Sequence, residues 1–191
     1  VKRVDSLKRL KPFSWWMAVL LGLTGCIGGP VRQTPGVDLF GRGLNSQLGD
    51  EMPAFNYDGS LLAFTSDRNG RRDIYLYDVR QRRLLPLPGL NYPDSVQEQP
   101  SLSGDGRYLA YVSEQRGKAD IFVYDRASQE ARLITGDFIG SVAQPSLSGD
   151  GRLLSFETNR RGQWDVEIFD LGNLDPGVQP KPVRSAPKES P

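Results

Sequence analysis

The sequence predicts an all-β protein: three four-stranded antiparallel repeats forming blades of a partial or oligomer-completed β-propeller. Three observations predict it. First, "QPSLSGDGR" occurs twice, at Gln99 to Arg107 and at Gln144 to Arg152. Second, the residues after each nonamer align without gaps, and a diverged earlier copy runs from Met52 to Asp78. Third, each unit alternates short apolar runs with Gly-containing turns and shows no helical periodicity. A period of 45 to 47 residues with four strands per unit is the mark of a propeller blade.

The elements of one unit follow in order. "PSLS" makes a short first strand, with Pro at its start, where the ladder does not need the missing N–H. An Asp-Gly pair then supplies a tight hairpin turn, because Gly accepts positive φ. These pairs are Asp58-Gly59, Asp105-Gly106 and Asp150-Gly151. "YLAYV" and "IFVY" are rich in aromatic and β-branched residues and form the second and third strands. A turn with Gly70, Gly117 or Gly162 joins them. "RLLPL" at Arg83 to Leu87 and "ARLIT" at Ala131 to Thr135 are fourth strands. Phe64, Tyr111 and Phe156 align in the second strand as core between sheets. Asp73, Asp120 and Asp165 open the third strand.

The repeats resemble the TolB-type, WD40-like (PD40) propeller family. The likeness rests on Pro-x-[Leu/Phe]-Ser-x-Asp-Gly and the later Arg-x-Gly-x-x-Asp-[Ile/Val]-[Tyr/Phe], and covers about 120 of 191 residues. The resemblance implies a propeller fold and a place in the bacterial envelope. That family includes a periplasmic Tol component that binds a peptidoglycan-associated lipoprotein, and also the propeller caps of serine peptidases. These 191 residues hold three repeats where the Tol component has six, and no counterpart of its α/β domain.

The front of the chain reads as an export signal over residues 1–25. Lys2, Arg3, Lys8, Arg9 and Lys11 precede the apolar run "WWMAVLLGL". "LTGC" resembles a bacterial lipobox, which implies lipidation at Cys26, the only cysteine. Two other readings stand beside it: an uncleaved membrane anchor over Pro12 to Val31, which four glycines and Pro30 oppose, and a cysteine without a role. Ile27 after the cysteine implies, by the same resemblance, transfer to the outer membrane. Beyond the signal lie a lipid-anchored spacer (26–51), the repeats (52–175, divided as 52–98, 99–143 and 144–175) and a Pro-rich disordered tail (176–191).

Charge and chemistry narrow the function. The whole chain is +1, but without residues 1–25 it holds 19 basic and 22 acidic residues, −3, which is no nucleic-acid footprint. There is no histidine, so Ser-His-Asp and Cys-His catalysis and His-ligated metals are excluded. No catalytic residue, metal or cofactor is assigned. Asp58, Asp105 and Asp150 recur once per blade, which suits a turn better than an active site. Arg68, Arg71, Arg72, Arg116, Lys118, Arg160 and Arg161 cluster in the turns between second and third strands. They read as a partner-binding rim or as locally paired charges, since acidic residues flank them.

The expected function is a non-enzymatic envelope scaffold or adaptor that binds envelope proteins. The alternatives are a propeller cap or a component of a carbohydrate- or peptide-acting enzyme, or a small-ligand binder. Three blades fall short of the 4 to 8 of a typical propeller. Two chains closing one ring, an open stack, or a different partner would each answer that. Leu62 and Phe64 at one end, and Leu154 and Phe156 at the other, are the side chains expected on the open faces.

Overall fold

Alternating apolar runs and Gly turns become three separate antiparallel sheets in the computed structural model, which describes residues 43–172 and 181–183. The first sheet holds β1 (Asp50–Phe55), β2 (Leu61–Ser66), β3 (Asp73–Asp78) and β4 (Arg83–Leu85). The second holds β5 (Gln97–Leu102), β6 (Tyr108–Ser113), β7 (Asp120–Asp125) and β8 (Glu130–Leu133). The third holds β9 (Val142–Leu147), β10 (Leu153–Thr158), β11 (Asp165–Asp170) and β12 (Lys181–Pro182). Strands neighbour one another in chain order in every sheet, so each repeat is one up-and-down blade.

The third blade takes its outer strand from the segment read as a disordered tail. Phe169 pairs with Pro182 and Asp170 with Lys181. Pro lacks an N–H but is accepted on an edge strand, and the neighbouring Val183 N–H donates to the Ile168 carbonyl at 2.8 Å. Cys26, the export signal and the spacer up to residue 42 lie outside the described residues, as do 173–180 and 184–191.

Every first strand carries a register break at the same place. Met52, Gln99 and Gln144 sit there with φ of 52°, 56° and 50°. Such a bulge re-aims the groups around it. The blades meet face to face through two cores. Ala63, Ile74 and Leu76 of blade 1 pack on Leu109, Tyr111, Phe122 and Tyr124 of blade 2. The opposite face of blade 2, with Ala110, Val112, Ile121 and Val123, packs on Leu154, Phe156 and Phe169 of blade 3.

This corrects the expectation for the end faces. Leu62 and Phe64 are 7% and 2% exposed, and Leu154 and Phe156 are 0% and 1%. Alternation along a strand sends successive side chains to opposite faces, and Leu154 and Phe156 point back at blade 2. The outward face of blade 3 carries Leu153, Val166 and Ile168 instead, with Trp164 beside them. At blade 1 the Arg68 guanidinium lies over the Phe64 and Tyr75 rings, 5.1 and 4.6 Å from their centroids.

Candidate functional site: the turns and the inner strands

The Asp-Gly turns use one local device three times. In blade 2 the Ser103 hydroxyl donates to Asp105 Oδ1 (2.6 Å), which also accepts the Arg107 N–H (2.9 Å). Ser103 Oγ accepts the Tyr108 N–H at 2.9 Å. Ser148, Asp150, Arg152 and Leu153 repeat this in blade 3. In blade 1 Asn56 stands for the serine: its side chain donates to Asp58 and accepts the Leu61 N–H. Gly59, Gly106 and Gly151 close the turns at φ of 68°, 70° and 72°, where only Gly sits without strain. These six residues are therefore bound to their own backbone.

Hydrogen bonds to the ionised carboxyl hold it below the usual range. Ser60, Ser103 and Ser148 hydroxyls do so for Asp58, Asp105 and Asp150. The Arg107 guanidinium lowers Asp125, and Arg152 lowers Asp170 to about 2. A carboxyl depressed by folding adds stability above its unfolded value of about 3.9, which is lost as pH falls through the folded value. The melting temperature should thus stay level from pH 8 to 5 and fall between about pH 4 and 2. A thermal scan that shows no fall in that window would contradict the pairing.

The cationic turns are paired throughout. Arg68 is only 5% exposed at its side chain and bonds Asp50 at 2.8 Å. It also donates to the Gly43 and Leu44 carbonyls, so it does not face solvent. Arg71 binds Asp73. Arg72 bridges two blades, reaching Glu51 and Asp67 of blade 1 and Glu98 of blade 2. Arg116 and Lys118 meet on the buried Asp120, which the Thr135 hydroxyl also contacts. Arg160 and Arg161 share Glu167. The outer six leave part of each side chain in solvent, with Arg161 at 64%.

A second surface was not read from the sequence. Met52, Pro53, Gln99, Pro100, Gln144 and Pro145, two residues from each first strand, line one cavity. Next to it the nonamer's side chains join blades 2 and 3. Gln99 Oε1 accepts the Gln144 N–H at 2.6 Å, and Ser101 Oγ accepts the Leu147 N–H at 3.0 Å. The exact repetition of Gln and Ser in the nonamer was the signal for this role. Among the described residues, no group of three or more His, Cys, Asp or Glu is placed to hold a metal ion.

Three stacked, four-stranded up-and-down blades define a β-propeller-type repeat protein. The chain belongs to the TolB β-propeller domain (PD40) family, whose model matches residues 42–165. Among solved structures it is similar to TolB from Acinetobacter baumannii: TM-score 0.57, 24% identity, covering 68% of this chain and 32% of that one. A TolB-type protein from Agrobacterium tumefaciens gives TM-score 0.54 at 24% identity, covering 72% and 47%. A puromycin-hydrolyzing peptidase from Mycobacterium tuberculosis gives 0.50 at 17%, covering 70% and 20%. The chain thus spans about a third to a half of the TolB structures, and these likenesses show the fold. No curated protein sequence matches it.

Proposed function

We propose that the protein is a non-enzymatic scaffold of the bacterial envelope, anchored by lipid at Cys26 and binding other envelope proteins through its blades. One observation carries this reading. The polar residues that recur in every blade are committed to turns and ion pairs within the fold. What the blades offer outward is therefore surface for contact. Membership of the TolB propeller family supports an envelope location. The partly exposed cations Arg116, Lys118 and Arg161 form the proposed partner rim, where an acidic protein surface would exchange with their local carboxylates.

Two measurements test the two halves. Cys26→Ser should abolish the acyl mass shift and release the protein from the membrane fraction, since two or more acyl chains anchor stably. Equal retention of the variant would remove the lipid anchor. Affinity purification from solubilised envelopes should recover a defined protein with the wild type and at least about tenfold less with Arg116→Glu/Arg161→Glu. Equal recovery with both would remove the rim.

A further inference from the structure

A second set of arginines lies at the end of the blades opposite the β2–β3 type of turn, and there the pairing is incomplete. Up-and-down order puts the turn after β1 and the turn after β3 together at this end. In blades 2 and 3 one fork closes it. Arg107 grips Asp125 at 3.1 and 2.8 Å, and Arg152 grips Asp170 at 3.1 and 2.7 Å. Blade 1 departs from the pattern. Ser60 stands where those arginines stand, and Asp78, the counterpart of Asp125 and Asp170, accepts the Gln81 N–H at 2.8 Å. The arginines sit in the next turn instead, as Arg80, Arg82 and Arg83.

That turn holds more cations than carboxylates to receive them. Arg80 reaches Asp58 at 3.3 Å and ties the two turns together, with 76% of its side chain exposed. Asp58 is already held by the Ser60 hydroxyl and N–H at 2.6 and 3.0 Å. Arg82 and Arg83 are exposed, and no carboxylate of a described residue pairs with either. Arg83 Nε donates to the neutral Gln81 side chain at 2.6 Å. The hairpin tip next to Asp58 presents Tyr57, 92% exposed, where blades 2 and 3 have Gly104 and Gly149. Val79, which opens the arginine turn, is 39% exposed. Both turns lie at the end of the sheet, off its two packing faces.

We propose that this end of blade 1 is a docking site for an acidic segment of a protein partner. Arg82 and Arg83 receive its carboxylates, and Tyr57 receives an apolar side chain beside them. The site rests on the reading of the blades as a contact surface, but lies at the end opposite the rim. A guanidinium offers a carboxylate two parallel N–H donors. Blades 2 and 3 meet that demand with their own aspartates, and blade 1 leaves it open. Arginine and tyrosine together are also the residues that most often anchor protein interfaces. An anionic membrane fits less well. Adhesion to it takes a cluster of about four to eight basic residues, and this turn has three.

Fluorescence anisotropy of a labelled oligoglutamate peptide flanked by phenylalanine, titrated with the full chain in neutral detergent, reads the outcome. The wild type should bind the peptide, and more weakly as salt rises. Arg82→Glu and Arg83→Glu should each weaken binding at least about fivefold. Arg82→Glu should keep the wild-type melting curve, since it has no carboxylate to lose. Tyr57→Ala should weaken binding about threefold or more. Lys181→Glu makes the same change of net charge on β12 and should bind as the wild type does. No binding by the wild type, or equal loss from Lys181→Glu and Arg82→Glu, would overturn the proposal; the second result would be general charge attraction. Tighter binding to phosphatidylglycerol vesicles than to the peptide, lost in Arg82→Glu, would overturn it in favour of a membrane surface. None of these results touches the rim, which Arg116 and Arg161 test on the envelope partner itself.

Discussion

Tyr111→Ala is expected to cost about 3–5 kcal/mol, the range for removing a large buried aromatic side chain. Tyr111 is 0% exposed, in the core between blades 1 and 2. Its ring stacks on Phe122 with centroids 5.7 Å apart, and its hydroxyl reaches the Leu90 carbonyl at 3.5 Å. Burial holds the phenol protonated far above its usual range. Truncation would leave a cavity between two sheets that each connect through short turns and have little freedom to collapse. Tyr111→Phe keeps the ring and loses only that long hydrogen bond, so it should cost less than about 1 kcal/mol. Urea unfolding measures both. An alanine variant within about 1 kcal/mol of wild type would mean that the inter-blade core is not packed as described.

Gly106→Val carries the second largest effect, about 2–4 kcal/mol, from two independent causes. The backbone sits at φ +70°, which a β-branched residue adopts only with strain. A Cβ there would also lie 2.5 Å from Leu61 Cδ1, across the junction with blade 1. Gly117→Val separates the two causes. Gly117 has φ +80° with nothing within 4 Å, so its substitution adds backbone strain alone. Gly106→Val should exceed Gly117→Val by about 1 kcal/mol or more. Equal costs would mean that Leu61 moves aside freely and that blade 1 does not press on this turn.

Much of the fold was legible because the local chemistry repeats. The Asp-Gly turns and the strand positions of "YLAYV" and "IFVY" followed from spacing and residue type, and the positive φ at Gly59, Gly106 and Gly151 agrees. Two features were misread for physical reasons. Blade 2 is covered on both faces, so Leu109 to Val112 are all buried and carry no alternation that marks a face. Blade 3 does alternate: Ser155 and Glu157 stand between Leu154, Phe156 and Thr158, and those polar residues mark the open side. The strand at Lys181–Pro182 was hidden by composition, because a Pro-rich segment has little apolar surface, and here it is seated by a short edge ladder on β11 and by the Val183 N–H bond to Ile168.

The candidate site was legible only in part. Arg71, Arg72, Arg116, Lys118, Arg160 and Arg161 do lie at the blade turns, but sequence could not show that Arg72 joins two blades or that Arg68 points inward. Their partners are close in sequence for the most part, so local pairing was predictable where the bridge to Glu98 was not. Gln99 and Ser101 were noticed as repetition and not as donors' partners, because their N–H ligands come from residues 45 and 46 positions away.

The three blades cohere through faces rather than through one shared sheet, with blade 2 covered on both sides. Amide hydrogen exchange at submicromolar concentration tests it most directly, since protection tracks burial and cooperative packing. Peptides spanning Tyr108 to Asp125 should exchange slowest, and those spanning Leu153 to Asp170 faster, because β10 and β11 have one face in solvent. Exchange of Tyr108 to Asp125 as fast as that of Leu153 to Asp170 would contradict the stacked arrangement.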